Sequence, residues 1–451
     1  MGTHELFVAT RLGNPDLGAV VLACILLFLS YVAFEIFKVF LIGFTGPLNK
    51  IPGPWLNRII GLPWMVAVIK GKAFELGVEY NRQYGDIVRV APDLVLVSDA
   101  KSIHQILVDM DLRKSVLYEK FRQDEDGVTL FTMRDRAQYR VRRRLFSHGF
   151  SISYLKGLEP LKLECIRALE EFIDTQCARD GGSTVIDAWN LMGRLASDIM
   201  SATAFGGSFE LVKNGEHPIR KKFSESFKRG TIYQLLPFLK YIPFMPKFRD
   251  PELGQLVNDI IARRRASVNK LAKPDLLQLL LDTHDQNPES LSEFEVIAEM
   301  LVFWLAGSET TASTLTFVMM FLLNDPPSYQ RLVDEIRERF PYSDSPVSDD
   351  QTVDLPFLHA VFKETLRLMP PAAGGLQRQA DEDIIISGHL IPAGTRVTAN
   401  TTVLQWDEKE WPDADKFVPE RWLSEYKGMK ASEKTAYYPF SAGSRNCIGK
   451  Q

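Results

Sequence analysis

The sequence predicts a mainly α-helical protein with a small β region, carried on one N-terminal transmembrane helix. Three observations point there. Residues 17–34, LGAVVLACILLFLSYVAF, hold no charge. Most later apolar positions recur at spacings of three and four, the period of a helix face. Only a few short stretches cluster apolar residues as strands do.

The 451 residues are 45% hydrophobic and 24% charged, with a formal net charge of −4. That balance suits a globular enzyme and gives no reason to expect nucleic acid as a partner. Four cysteines, Cys24, Cys165, Cys177 and Cys447, are too few and too scattered for a disulfide framework. No C-x-x-C or Cys/His pair has zinc spacing, and a reducing compartment fits best.

The anchor is expected over residues 1–45. After Glu35 and Lys38 the apolar character resumes to Phe44, which completes a span of the roughly 30 Å hydrocarbon core. A cleaved signal peptide is the alternative. Against it, the run is preceded by Glu5 and Asp16 with only Arg11 between them, and no A-x-A site closes it. Lys50 and Arg58 follow the span, which places the body in the cytosol, with the endoplasmic reticulum as the expected membrane. Residues 46–63 contain IPGPWLNRIIGLP, whose prolines forbid a continuous helix and make a stiff hinge. Residues 64–451 form the body.

Within the body, helices are expected over 156–178, 251–267 and 328–340. The longest runs from Ser292 to Asn324, opened by the capping-box pair Ser292 and Glu295 and stopped by Asp325-Pro326-Pro327. It is apolar nearly all round and therefore passes through a core. Strands are expected at Ile87–Val90, Leu94–Val97, Ile384–Ile386 and Thr395–Thr398, with Pro392-Ala393-Gly394 as a turn. Residues 231–248, TIYQLLPFLKYIPFMPKF, read either as a membrane-dipping or substrate-entry loop or as core packing.

Chemistry concentrates at the C-terminal FSAGSRNCIGKQ, residues 440–451. Gly443 and Gly449 leave room for a large flat group beside Cys447. A single thiolate without other ligands suits haem iron better than zinc. Taken alone, the thiol reads more readily as a buried structural cysteine, the commoner fate of a lone thiol. The full pattern F-x-x-G-x-R-x-C-x-G resembles the haem-binding loop of the cytochrome P-450 superfamily, and further stretches match that family in order. KETLR supplies Glu364 and Arg367. E-x-x-R also occurs at Glu79/Arg82, Glu119/Arg122 and Glu164/Arg167, but only the Glu364 pair stands upstream of WPDADKFVPERW. There Arg421 is the implied third member of a buried structural network.

AGSETT in the long helix holds Ala306, Gly307, Ser308, Glu309, Thr310 and Thr311. A mid-helix glycine costs about 1 kcal/mol and asks for a reason; close approach of a ligand is one. Hydroxyls that merely bond back to helix carbonyls are the bland alternative. The resemblance makes this segment the oxygen-activation groove, with Glu309 and Thr310 catalytic and Ala306 in the substrate pocket. It makes Tyr139, standing where the family usually has Trp, with Arg143, Arg378 and Arg445, the propionate partners; Phe440 and Gly449 complete the cofactor site. Ala372 to Gly375 match a substrate-contacting strand, with Ala373 and Gly374 in the pocket. The arginine run 140–144 reads as a face for an acidic redox partner, with Arg142 and Arg144 foremost, rather than as a nuclear-localisation or nucleic-acid patch.

The resemblance, which is to fungal microsomal members that decorate secondary metabolites, implies a monooxygenase. Its cofactor is haem b, and its electrons come from NADPH through a cytochrome reductase, with cytochrome b5 as a further donor. It inserts one oxygen atom from O2 into a hydrophobic small molecule. Family members continue beyond the cysteine, so the C-terminal end of the fold is expected to be missing here. Two alternatives follow: a truncated, inactive haem-binding relic, and an oxygen-independent haem-thiolate dehydratase or isomerase. The Glu309-Thr310 pair argues against the second.

Overall fold

A computed structural model describes residues 17–122, 127–218, 220–222, 225–226, 242, 251–266, 275–342, 345, 347–426 and 435–451. Apart from Ile242, the stretch 231–248 lies outside the described residues, as do Glu5, Arg11 and Asp16.

Helix α1, Leu17–Phe44, is unbroken over 28 residues, about 42 Å at 1.5 Å per residue. Its segment Val20–Lys38 has mean hydropathy 2.5 and packs against nothing in the body. By length and composition it can cross a membrane. Glu35 and Lys38 do not interrupt it; they pair with each other at 3.4 Å, one turn apart. The hinge is folded into two short 3-10 turns, Pro47–Lys50 and Trp55–Arg58, and runs into α2, Leu62–Ile69. It is also fastened. Arg58 donates to Asn49 Oδ1 at 2.6 Å. Buried Arg89 donates through Nη1 to the Gly43 carbonyl in the last turn of α1 at 2.9 Å, and its own amide donates to Pro52 O at 2.8 Å.

Among the described residues, the remaining helices of eight residues or more are α3 (Ala73–Tyr84), α4 (Arg136–Ser147), α5 (Glu159–Arg179), α6 (Ala188–Phe205), α7 (Pro251–Ala266), α8 (Leu276–Gln286), α9 (Glu293–Asn324), α10 (Pro326–Arg339) and α11 (Pro356–Leu368). The helix expected at 156–178 is divided: a short turn ends at Lys156, and α5 starts afresh at Glu159 with Pro160 in its first turn. The Ser292/Glu295 capping box of α9 forms in both directions. Helix α9 runs through the largest core cluster, where Met300, Phe303 and Trp304 meet Phe146 of α4 and Leu277 and Leu280 of α8. Helix α11 begins with Pro356 and lacks a cap of its own. Glu335 of α10 supplies one, accepting the amides of Phe357 and Leu358 at 2.8 and 2.9 Å.

Among the described residues the strands are β1 (Ile87–Ala91), β2 (Leu94–Val97), β3 (Leu376–Gln379), β4 (Ile384–Ile386), β5 (His389–Ile391) and β6 (Arg396–Ala399). Four form one sheet in the order β1-β2-β6-β3, in which only the β2/β6 pair is parallel. Strands β4 and β5 make a hairpin through Ser387 and Gly388, whose φ values of 48° and 76° suit a type I′ turn. Strands β3 and β5 escape the sequence pattern because LQRQ is mostly polar and HLI is only three residues long. Ala372 to Gly374 lie in a turn before β3, not in a strand, because the chain must reverse after Pro370-Pro371.

Arg89→Met should detach the hinge from the body. Charged-donor bonds to buried acceptors are worth about 1.5–3 kcal/mol each, so tryptic cleavage at Lys50 or Arg58 of the native protein should speed up at least about tenfold.

Candidate active site

Glu364 and Arg367 face one another on α11 because residues three apart share a helix face. Neither has any exposed side-chain surface. Arg367 donates through Nε and Nη2 to the two carboxylate oxygens of Glu364 at 3.0 and 2.8 Å. Arg421 Nε donates at 3.0 Å, Trp422 Nε1 at 2.8 Å and the Val418 amide at 3.1 Å. Arg367 then spends its remaining donors on the carbonyls of Gln405, Ala414 and Lys416. By contrast, Glu119 and Arg122 make only a loose 3.7 Å pair nearer the surface.

The network reaches the cysteine through Gln405. Its side chain donates to the Arg367 carbonyl at 2.9 Å and accepts the Tyr438 amide at 2.9 Å. From Tyr438 the loop turns: Ser441 N donates to Tyr438 O at 3.0 Å and Cys447 N to Phe440 O at 2.9 Å. Gly443 has φ +72°, and a Cβ there would stand 1.9 Å from the Leu107 carbonyl. Its bareness therefore serves packing of the loop on the chain behind it. A Cβ at Gly449 would meet nothing within 4 Å, which leaves open space beside the thiol. Ile448 packs against the cluster that contains Phe303 and Trp304 of α9. Cys447 itself is exposed, and Phe440 is 39% exposed.

Four cations converge on this loop. Arg143 donates to the Asn446 carbonyl at 2.6 Å, to Asn446 Oδ1 at 2.5 Å and to the Tyr139 hydroxyl at 2.8 Å. Arg445, buried, donates to the carbonyls of Met133 and Arg134 at 3.0 and 2.7 Å and leaves Nε without a partner. Its guanidinium lies 4.4 Å from the Tyr139 ring centroid. Arg378, also buried, pairs across an isolated bridge with Lys114. The Lys114 ammonium donates to the carbonyls of Leu130 and Phe131 and sits 5.3 Å from the Tyr139 ring. Burial, with Arg378 and Arg445 close by, holds Lys114 well below the usual lysine range. Burial likewise lowers Arg445. Among the described residues none of the four pairs with a carboxylate. A cluster this cationic suits a ligand that brings its own acid groups, and a haem's two propionates fit it. Lys114 was missed from sequence because a lone lysine in an irregular segment has no spacing to mark it.

On α9, Ala306, Glu309 and Thr310 make an exposed stripe on a helix otherwise largely buried around them. Thr310 Oγ1 donates to Ala306 O at 2.6 Å and Thr314 Oγ1 to Thr310 O at 2.9 Å. The hydroxyl therefore back-bonds to the helix and still presents its lone pairs on the exposed side. Gly307 points elsewhere: a Cβ there would lie 2.3 Å from Met200 Sδ of α6, so this glycine serves helix packing. Ala373 is half-buried and Gly374 exposed, both in the turn before β3.

Arg142 does not face a partner. Rotation along α4 turns it inward, where it donates to Glu295 Oε1 at 2.6 Å and to Glu299 Oε1 at 3.4 Å. Arg136, Arg140 and Arg144, spaced by four, form the exposed row instead.

A helical body that braces a cysteine loop beside a long core helix and surrounds it with unneutralised cations defines a haem-thiolate protein. The profile of the cytochrome P450 family matches residues 51–451, and the chain belongs to that family. It is 37% identical to "Cytochrome P450 monooxygenase acrD" of Aspergillus aculeatus, an alignment covering 99% of this chain and 90% of the relative. It is 36% identical to "Cytochrome P450 monooxygenase LUC2" of a Fusarium species, covering 90% and 80%. "Cytochrome P450 monooxygenase FUS8" of Gibberella moniliformis is also 36% identical, over 91% and 80%. The chain is thus an enzyme of a fungal P450 type; the family implies haem, a redox partner and a hydrophobic substrate.

Glu364→Gln should destabilise the fold by about 3–5 kcal/mol, the usual cost of breaking a buried ion pair, and lower haem content in the purified protein. Burial raises the Glu299 carboxyl to about 8 from its usual 4.5. The stability such a group contributes is complete below about 4.5 and is lost as pH rises through about 8. The melting temperature of the wild type minus that of Glu299→Gln should therefore fall between pH 5 and 9, and a flat difference contradicts the assignment.

Proposed function

We propose that this chain is a membrane-anchored monooxygenase of fungal secondary metabolism that inserts one oxygen atom from O2 into a hydrophobic small molecule. Residues 1–45 serve as anchor, 46–63 as hinge and 64–451 as catalytic domain. Lys50 and Arg58 beyond the span favour a cytosolic body, on the endoplasmic reticulum. The observation that carries the reading is the braced thiol of Cys447 beside buried cations that, among the described residues, pair with no carboxylate.

Haem b, when bound, supplies oxygen activation with electrons from NADPH, passed through a cytochrome reductase or cytochrome b5. Cys447 would hold its iron through the thiolate sulfur. Arg143, Arg378, Arg445 and Lys114 hold the carboxylates, with Tyr139 orienting Arg143. Phe440 and Gly449 border the thiol. Thr310 accepts and passes on a proton with its hydroxyl, and Glu309 one residue before it carries protons in from solvent. Ala306, Ala373 and Gly374 leave space for substrate. The exposed row Arg136, Arg140 and Arg144 receives an acidic redox partner.

The reduced, carbon monoxide-treated protein should show the red-shifted Soret band of a thiolate-ligated haem. Cys447→Ala should lose it, and an unchanged band in that variant overturns the reading. Arg144→Glu should slow reduction by the reductase at low salt while haem content stays level. An unaltered rate argues against docking on α4.

A further inference from the structure

Helix α9 carries a fully buried ionisable group that the chemistry proposed at Thr310 does not use. Glu299 has no exposed side-chain surface. Its Oε1 accepts the Leu130 amide at 2.7 Å, while Oε2 has no hydrogen-bond partner. The carbonyl of that same Leu130 accepts the Lys114 ammonium at 3.1 Å, and the next carbonyl, of Phe131, accepts it at 2.8 Å. Leu130 is therefore gripped at both ends, by a carboxyl from α9 and by a lysine of the cation cluster.

The grip extends along the segment. Thr129 and Thr132 tie into a tight turn, with the Met133 amide on Thr129 O at 2.8 Å. The Met133 and Arg134 carbonyls hold Arg445, and Arg134 Nε returns to the Lys114 carbonyl at 2.9 Å. The charged groups around Glu299 are Arg142 from α4, Glu295 one turn away on α9, and Lys114 across the loop. With its carboxyl raised to about 8 by burial, Glu299 is mostly neutral at pH 7 and adds no anion that would consume the cluster's charge.

We propose that Glu299 is a positioning residue for the cation cluster: by holding the Leu130 amide it sets the Leu130 and Phe131 carbonyls that aim Lys114, and through Lys114 how firmly the carboxylates of haem are kept. This rests on the haem-thiolate reading given above.

The test uses the full chain, as wild type, Glu299→Gln, Glu299→Ala, Lys114→Met and the double variant Glu299→Ala/Lys114→Met. Haem loss is followed as transfer to excess apomyoglobin. Glu299→Gln, which keeps an acceptor for the amide, should lose haem within about threefold of the wild-type rate. Glu299→Ala should lose it about tenfold faster or more, as expected for an orphaned buried amide. On the Lys114→Met background Glu299→Ala should add less than about twofold, since coupled residues are not additive. A wild-type rate in Glu299→Ala, or its full effect without Lys114, overturns the proposal. Hydrogen exchange of the Leu130 amide in haem-free protein is the second readout. It should accelerate about tenfold in Glu299→Ala and not in Glu299→Gln; equal protection in all variants overturns the clasp. If the wild type takes up no haem, the haem-thiolate reading fails, and the exchange experiment still decides the clasp.

Discussion

One buried carboxylate organises the part of this protein that carries the cysteine loop. Glu364 accepts from Arg367, Arg421, Trp422 and the Val418 amide with no exposed surface. A carboxylate withdrawn from water is tolerable only when so fully satisfied. What the network yields is position. Arg367 gathers the carbonyls at 405, 414 and 416, and Gln405 hands that rigidity to Tyr438, where the cysteine loop begins. The cap that Glu335 gives α11 fixes the same helix from its other end.

The cation cluster beside the cysteine loop has the opposite character. Among the described residues, Lys114, Arg378 and Arg445 are buried cations without acidic partners, and Arg445 retains an unused donor. Glu364 is an anion fully repaid by the chain, whereas these cations are held apart by backbone carbonyls and Tyr139. The two arrangements divide the work: one sets where the thiol stands, the other sets which acidic group can settle beside it. Helix α9 connects them through Ile448, which packs against the cluster that contains Phe303 and Trp304, and through Glu299.

What could be read from the sequence was what is local. The capping box of α9, the proline stops, the apolar run of α1 and the spacing of Glu364 and Arg367 all lie within a few residues of each other. Trp422, Gln405 and Lys114 could not be read, because each acts on a residue far along the chain and none has a periodic signature. Gly307 and Gly443 were legible as constrained but not as to why: Met200 and the Leu107 carbonyl occupy the space that their missing side chains leave. Arg142 is different, since a signal was present. Positions 136, 140 and 144 share one face of α4, and 139, 142, 143 and 146 turn away from it, so helical spacing alone separates exposed cations from buried ones. Glu299, a single acid inside VIAEMLVFWLAG, was similarly visible as an exception to an apolar pattern.

The decisive claim is that Glu364 holds the cysteine loop in place at a distance. Hydrogen exchange across residues 435–447, compared between wild type and Glu364→Asp, measures it directly, because aspartate keeps the charge and shortens the reach. Exchange at the Tyr438, Ser441 and Cys447 amides should accelerate together in the variant while β1 and β2 stay protected. Unchanged protection at those three amides would contradict the account.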